Sequence, residues 1–424
     1  MLHRFLKIKN IIYDPNRRPS VAHLLRTLQL HEIEQLKILP SSDTISHFIY
    51  FAYHLYFSLI LHARMLFVTN ISLTQFRNYL SQHFQFNDRI VAISGINGSG
   101  KTNLLDAIYF LFFTKSYFSK PDAQSVYQNL AGFRIEGNIQ KNGLVNNLVC
   151  ILRENNRKEF QMNKESYKKF SDHIGKFSCV FIAPDDVQIV SEGSETRRHF
   201  LDTLLSQLNH DYLQQLIAYK KILDERNSLL KSIAERNYFD KELLNILDEQ
   251  LIKNGEQIFK TRKNFLGSFL PAVQKEYAAI GETSDDIFLN YCSQLSGIPY
   301  AELLKENRQR DLYLQRTGCG IHKDDIEIQM QQLPFKNIAS QGQRKSLLFA
   351  LKLAEFNVLK EKKGFAPLLL LDDVFEKLDE QRMHNLLAKV YEEETAQVFI
   401  TDTHKERLQS AFDNLNAKYQ LIEL

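Results

Sequence analysis

Residues 95–102 read Gly95-Ile96-Asn97-Gly98-Ser99-Gly100-Lys101-Thr102 and fill every fixed position of the pattern G-x-x-x-x-G-K-[ST]. The chemistry of that spacing is phosphate binding. The glycines let the backbone turn so that successive N–H groups face phosphate oxygens. Lys101 reaches the β- and γ-phosphates of ATP as a catalytic cation, and the Thr102 hydroxyl ligates Mg2+. A second acidic cluster, Asp372-Asp373, ends the apolar run Leu368 to Leu371. Asp372 is the expected carboxylate for Mg2+, through water. Asp373 is the expected catalytic group that orients or deprotonates the attacking water. Four Leu and two Asp alone could be a strand-to-turn junction; paired with the phosphate loop, they read as the second half of an ATPase site.

Three further stretches extend that reading. Ser340-Gln341-Gly342-Gln343 opens a helical pattern upstream of the Leu368 run. A Ser N-cap and a glycine at a helix N-terminus attract anions. The stretch resembles the ABC signature motif, in which Ser340, Gly342 and Gln343 would act in trans on the γ-phosphate held by another protomer. Glu376 to Asp379 follows the acidic pair and looks like a D-loop, with Asp379 as its acid. Gln397 to His404 reads as a strand entering a polar turn. His404 occupies the place of the ABC switch residue, and a plain surface histidine at a helix cap stays open beside it. No Q-loop glutamine stands out.

These residues need elements to hold them. Ile90 to Ser94 is a short β-branched apolar run, a buried strand, and the segment after Thr102 has helical spacing through Phe113. Leu66 to Phe76 reads as another strand. Gly132 to Gln140, Leu144 to Arg153 and Lys158 to Met162 read as a β-meander with turn residues between them, and Ser178 to Ala183 as one more strand. From about Glu195, Leu201, Leu204, Leu208, Tyr212, Leu216, Tyr219 and Leu223 step by three and four. A second helical stretch runs from Lys241 to about Ile280, and the pair suggests an antiparallel arm of roughly 60 Å. The expected fold is therefore α/β, a P-loop ABC-type ATPase head of mixed sheet and flanking helices, with an inserted helical lobe or short antiparallel arm. The expected divisions are 1–64, 65–182 with the phosphate loop and meander, 183–296 as the helical lobe, and 297–424 with the remaining motifs.

The chain has 424 residues, 44% hydrophobic and 24% charged, with 16 Gly and 9 Pro. That length suggests two or three domains, and the composition excludes a disordered or collagen-like chain. Residues 1–64 carry eight Lys/Arg against four Asp/Glu, a net of +4, whereas the other 360 residues carry 45 against 46, a net of −1. Net charge thus gives no argument for nucleic acid, and any DNA surface has to be local. Lys115, Lys120, Lys158, Lys168 and Lys169 are candidates, each also readable as an ordinary surface lysine. Cys150, Cys179, Cys292 and Cys319 are scattered without a CxxC pair, which disfavours zinc and disulfides and suits a reduced cytoplasmic compartment. The apolar run His47 to Ala63 is short and broken by histidines, so no membrane span is expected. Met65 begins a new pattern, and translation is expected to start there, with 1–64 a non-native extension.

Spacing selects among ABC ATPases. Thr102 to Ser340 spans 238 residues, more than a transporter subunit inserts and less than the coiled-coil arms of an SMC protein. Leu73 to Tyr79, with Phe76-Arg77-Asn78-Tyr79, then Ala183 to Ser194 with Arg197, Arg198, Phe200 and Asp202, then Gly320 to Asp325, resemble in this order the RecF family of recombination mediators. The resemblance covers 65–424. It departs from the family pattern in lacking Pro after Ser194 and in carrying Ile321 where Pro is favoured. It implies an ATP-dependent protein that binds double-stranded DNA near single-strand gaps or junctions, and helps load RecA together with RecR and RecO. It further implies an ATP-driven homodimer, with weak DNA-dependent ATPase turnover as a switch. An ABC-type subunit of another system, SMC-like or transporter, is the alternative.

Overall fold

The computed structural model describes residues 66–119, 121–236, 241–281, 287–374, 387, 391, 393 and 395–424. All belong to the unit Leu61–Leu424. The expectations for residues 1–64, Lys120 and the D-loop acid Asp379 lie outside the described residues.

The chain runs through β1 (Leu66–Phe76), β2 (Tyr79–Gln85), β3 (Ile90–Ser94) and α1 (Lys101–Phe113), then the meander β4 (Phe133–Lys141), β5 (Leu144–Leu152), β6 (Lys158–Met162) and β7 (Glu165–Ser166). After β8 (Cys179–Ile182) come the helices α2 (Ser194–Leu208), α3 (His210–Arg236) and α4 (Lys241–Gly281). Next are β9 (Ile287–Cys292), α5 (Tyr300–Leu314), β10 (Asp325–Met330) and β11 (Leu333–Pro334). The last segment holds α6 (Gln341–Lys363), β12 (Leu368–Leu371), β13 (Val398–Asp402), α7 (Lys405–Asp413) and β14 (Gln420–Glu423).

Two sheets make the head. The order β14-β3-β13-β12-β8 is parallel throughout, and β2-β1-β4-β5-β6-β7 is antiparallel. Side chains of a strand alternate between faces, and β3, β13, β12 and β8 bury both. Val91, Ile93, Phe181, Leu368, Leu370 and Phe399 join one core with the antiparallel sheet and α1. Ile90, Ala92, Val180, Ile182, Leu369, Leu371, Val398 and Ile400 join a second core with the helices of the insertion. This is why these strands read as unbroken apolar runs. Helix α1 is buried almost all round, from Leu104 to Phe113, because it lies between the two sheets.

The insertion is helical, as its periodicity demands. Tyr212 meets Arg262, Gly255 lies against Tyr219, and Arg226 meets Asp248. Each step of seven residues up α3 is a step of seven down α4, the antiparallel register of a heptad pattern. The expected 60 Å arm is realised differently. Helix α4, about 60 Å long at 1.5 Å per residue, pairs with α3 through its first part and packs along α6 through its last. Helix α5 covers the α3–α4 pair. A small sheet, β11-β10-β9, sits against α4 and α2. Among the described residues no helix is long and apolar enough to cross a membrane. The four cysteines are free thiols.

Candidate functional site

The C-terminal ends of β3, β13 and β12 lie side by side, with Asp402 opposite Ser94 and Ile400 opposite Leu371. Everything that leaves these ends therefore converges on one edge of the sheet.

The loop from Gly95 to Thr102 leaves β3 there. Gly98 and Gly100 hold φ angles of 84° and 117°, in the left-handed region open to glycine. Gly100 also has no room for a side chain, since an added Cβ would lie 2.6 Å from the Tyr79 hydroxyl. That hydroxyl donates to Gly100 O at 3.0 Å, and Asn78 Nδ2 donates to Ser99 O at 2.9 Å. Asn103 Nδ2 ties back to Asn78 Oδ1 at 2.8 Å. Burial pushes the Tyr79 phenol up, so it stays a protonated donor. Arg77, two residues before Tyr79, bonds Asp106 of α1 at 2.8 Å along with Ser116 and Ser119. The Phe76-Arg77-Asn78-Tyr79 stretch thus braces the loop from outside. The sequence singles this stretch out by family resemblance, but not its contacts with the phosphate loop, which depend on the fold.

Lys101 is buried, and its ammonium donates to Gly95 O at 2.7 Å and Ile96 O at 3.2 Å. Ile96, Asn97 and Gly98 are exposed at the loop's crest. The Thr102 hydroxyl lies 2.9 Å and 3.0 Å from the two oxygens of Asp372, joining positions 270 residues apart. Burial pushes the Asp372 carboxyl up to about 6, against the opposing pull of Thr401 and Thr102. The Asp373 backbone has φ 44°, and its N–H donates to Thr401 Oγ1 at 2.8 Å. Lys101, Thr102, Asp372 and Asp373 are brought together. Thr401, which joins them, was read only as part of the strand before His404.

The remaining candidates lie on other elements. Ser340 caps α6 in a reciprocal box, accepting from Gln343 N at 3.2 Å while its own N–H donates to Gln343 Oε1 at 2.8 Å. Ser340 is exposed and Gly342 half-buried. On the same helix Lys352 pairs with Asp186, just past β8, at 3.5 Å. Ser340 lies twelve residues beyond Lys352, about 18 Å further along the helix axis. His404 is exposed at the N-cap of α7, two residues past β13, and its N–H donates to Asp402 Oδ1 at 2.6 Å. Asp402 is fully buried and also accepts from Arg407 at 3.2 Å. Of the candidate DNA lysines, Lys158 is occupied. It donates to Asp122 Oδ2 and Thr114 O and lies over the Phe110 and Phe170 rings. Lys168 and Lys169 are exposed.

The two other stretches carrying the family resemblance meet each other at the root of the helical insertion. Arg197 binds both oxygens of Asp325, and Arg198 donates to Asp324 O. Arg262, about 1% exposed, donates to Asp202 and Asp324, each at 2.8 Å.

Comparisons with known proteins bear on the family and the fold. Residues 67–421 match the family model described as the RecF/RecN/SMC N terminal domain. The DNA replication and repair protein RecF of Flavobacterium johnsoniae is 41% identical over 357 residues, 84% of this chain and 99% of that protein. A solved structure of the recombination mediator protein RecF-ATPrS in the RecFOR pathway superposes with a TM-score of 0.77. It is 28% identical and covers 85% of this chain and 96% of the other. RecF-ATP of the same pathway gives 0.74 at 29% identity, covering 80% and 93%.

Proposed function

The chain belongs to the RecF family of DNA replication and repair proteins, built on an SMC-type ATPase head, and from that premise we propose that it binds ATP at the sheet edge and uses it to clamp two copies on DNA. The observation that carries this is the Thr102 hydroxyl set against both oxygens of Asp372 across 270 residues. Those two oxygen donors, one of them a buried carboxylate with no cation bonded to it among the described residues, suit Mg2+, which prefers hard oxygen ligands. Mg2+ held there by Thr102 and Asp372 would neutralise charge on the β- and γ-phosphates.

The chain's own residues do the rest. Backbone N–H groups from Gly95 to Thr102 cradle the phosphates, as they do in P-loop sites generally. Lys101 leaves the carbonyls of Gly95 and Ile96 for the phosphate oxygens. Asp373 orients the attacking water and takes its proton as ADP and phosphate separate. Ser340, Gly342 and Gln343 serve a second copy, because α6 carries them about 18 Å beyond the level of Asp186. An exposed helix N-terminus is suited to a γ-phosphate presented by a partner. His404 and Asp379 complete the site as switch and D-loop residues. Double-stranded DNA near a gap or junction lies on the closed dimer, with Lys168 and Lys169 among its contacts. RecR and RecO are the working partners and RecA the recombinase loaded.

The test is the mass in solution of the full chain with ATP and gapped duplex DNA. A dimer that forms only with ATP and retains the DNA is expected, and Ser340→Arg should bind ATP yet stay monomeric. Nucleotide-bound dimers of that variant would refute the shared site.

A further inference from the structure

Thr401 stands where the two acids meet. It is fully buried at the end of β13, the strand that separates β3 from β12. Its hydroxyl donates to Asp372 Oδ1 at 2.9 Å, accepts the Asp373 N–H at 2.8 Å and lies 3.5 Å from Asp373 Oδ1. A hydroxyl has one proton and two lone pairs, so one atom fixes a carboxylate on one side and a backbone direction on the other.

That backbone direction is unusual. Asp373 has φ 44°, a left-handed conformation that a non-glycine residue holds only at a cost. Its N–H bond to Thr401 pins the Asp372–Asp373 peptide plane against β13. With that plane pinned, the left-handed φ decides where the side chain goes, and it brings Asp373 Oδ1 to 3.5 Å from the same hydroxyl, whereas an extended Asp373 would redirect the side chain at the sheet edge. We infer that Thr401 is a positioning residue for hydrolysis: its hydroxyl anchors the peptide plane from which Asp373 enters the left-handed turn and holds Asp372 against Thr102, so that the two acids keep separate aims. This rests on the reading of Asp372 and Asp373 as the hydrolytic pair. It adds that β13 sets their geometry, not merely their burial.

The prediction separates shape from hydroxyl. Thr401→Val keeps the shape and removes the oxygen, and Thr401→Ser keeps the oxygen and removes a methyl. Thr401→Val should lower kcat for ATP hydrolysis by about 10-fold or more, while KM and the Kd of a fluorescent ATP analogue move less than about 3-fold. Thr401→Ser should retain kcat within about 3-fold. Thr401→Ala provides a second variant without the hydroxyl, should Val fail to fold, and is expected to follow Val. Normal kcat in Val or Ala, or equal losses in Ser and Val, would overturn the inference. So would a loss of analogue affinity in Val matching the loss of kcat. Lys101→Ala and Asp373→Asn, measured alongside, test the underlying reading. If they turn over ATP as the parent does, the site assignment itself fails. If they fall while the Thr401 variants do not, only the role of Thr401 fails.

Discussion

Two regions of this molecule bury charge in opposite ways. At the nucleotide edge, Lys101 is bonded to carbonyl oxygens and Asp372 to hydroxyls. Within the helical insertion, Arg226 is fully buried and bonds Asp248 at 2.7 Å and Asp311 at 2.8 Å. Arg308 shares Asp248 at 2.7 Å, and Thr317 accepts from Arg226 at 2.8 Å. Arg262 is matched in the same way by Asp202 and Asp324. Burial pulls the Arg226 guanidinium down, but Asp248 and Asp311 outweigh it and hold it above its ordinary range. A buried ion is expensive unless paired. Charge matched within the chain marks a structural joint. Charge met only by neutral dipoles marks a place prepared for a ligand of opposite sign.

The sharpest way to break this contrast is to delete one cation from each region. Lys101→Ala should lower ATP turnover by about 100-fold or more, with no loss in the urea midpoint of the nucleotide-free protein. Arg226→Met should do the reverse. It strands Asp311 and half of the bonding of Asp248, and should destabilise by about 3–5 kcal/mol. Turnover per folded molecule should stay near the parent value. A Lys101 variant as unstable as the Arg226 variant, or an Arg226 variant inactive while folded, would erase the distinction.

The same contrast explains what was legible in the sequence. The phosphate loop is eight contiguous residues whose types are dictated by one ligand, and β3 and α1 follow from the runs on either side of it. β3, β8, β12 and β13 were visible because burial on both faces leaves apolar runs, whereas β14, only half-buried, leaves none. Arg226 and Arg262 sit in heptads beside Tyr212, Tyr219 and Leu230, where a basic residue looks like a solvated one. Nothing local tells that Arg226 will find Asp311, 85 positions away. The arm's length was misjudged for a related reason. Periodicity shows that α4 has an apolar stripe, but not that its last part spends that stripe on α6 instead of α3. Thr401 escaped notice because its role depends on β13 lying between two strands from distant parts of the chain.

Acidity gives a smaller and opposite-signed test of the two regions. Burial pushes the His322 imidazole down to about 4, where it accepts from Tyr219 and donates to Thr317 O. Its folded value lies below its unfolded one. Its share of stability is therefore present above about pH 6.5 and lost as pH falls toward 4, on the order of 1 kcal/mol per pH unit. On the head side, burial pushes Glu355 of α6 up to about 7, beside Lys352 and Asp186. Here the folded value lies above the unfolded one. That share is complete below about 4.5 and is lost as pH rises through 7. His322→Gln should flatten the acid limb of the urea midpoint between pH 6.5 and 4, and Glu355→Gln the limb between 5 and 7. If each variant kept the parent's slope in its window, these groups would not be the source of the dependence.

The finest test lies within one helix. Gly255 and Gly267 are both interior to α4, twelve residues apart. Helix propensity alone favours alanine at each by about 1 kcal/mol. Their surroundings differ. A Cβ on Gly255 would lie 2.5 Å from Tyr300 Cε1 and 3.2 Å from Tyr219 Cε2, whereas one on Gly267 meets nothing within 4 Å. Tyr300 cannot easily yield. It is buried, its hydroxyl lies 3.0 Å from that of Tyr219, and Tyr219 in turn holds His322. An extra methyl there must push α5 away from α4, and overpacking of this kind costs about 1–3 kcal/mol. Gly267→Ala should thus raise the urea midpoint slightly, and Gly255→Ala should lower it. Both variants raising it would mean that the root of the insertion yields to a methyl group, and that its tyrosines and paired charges do not form the rigid joint on which the comparison depends.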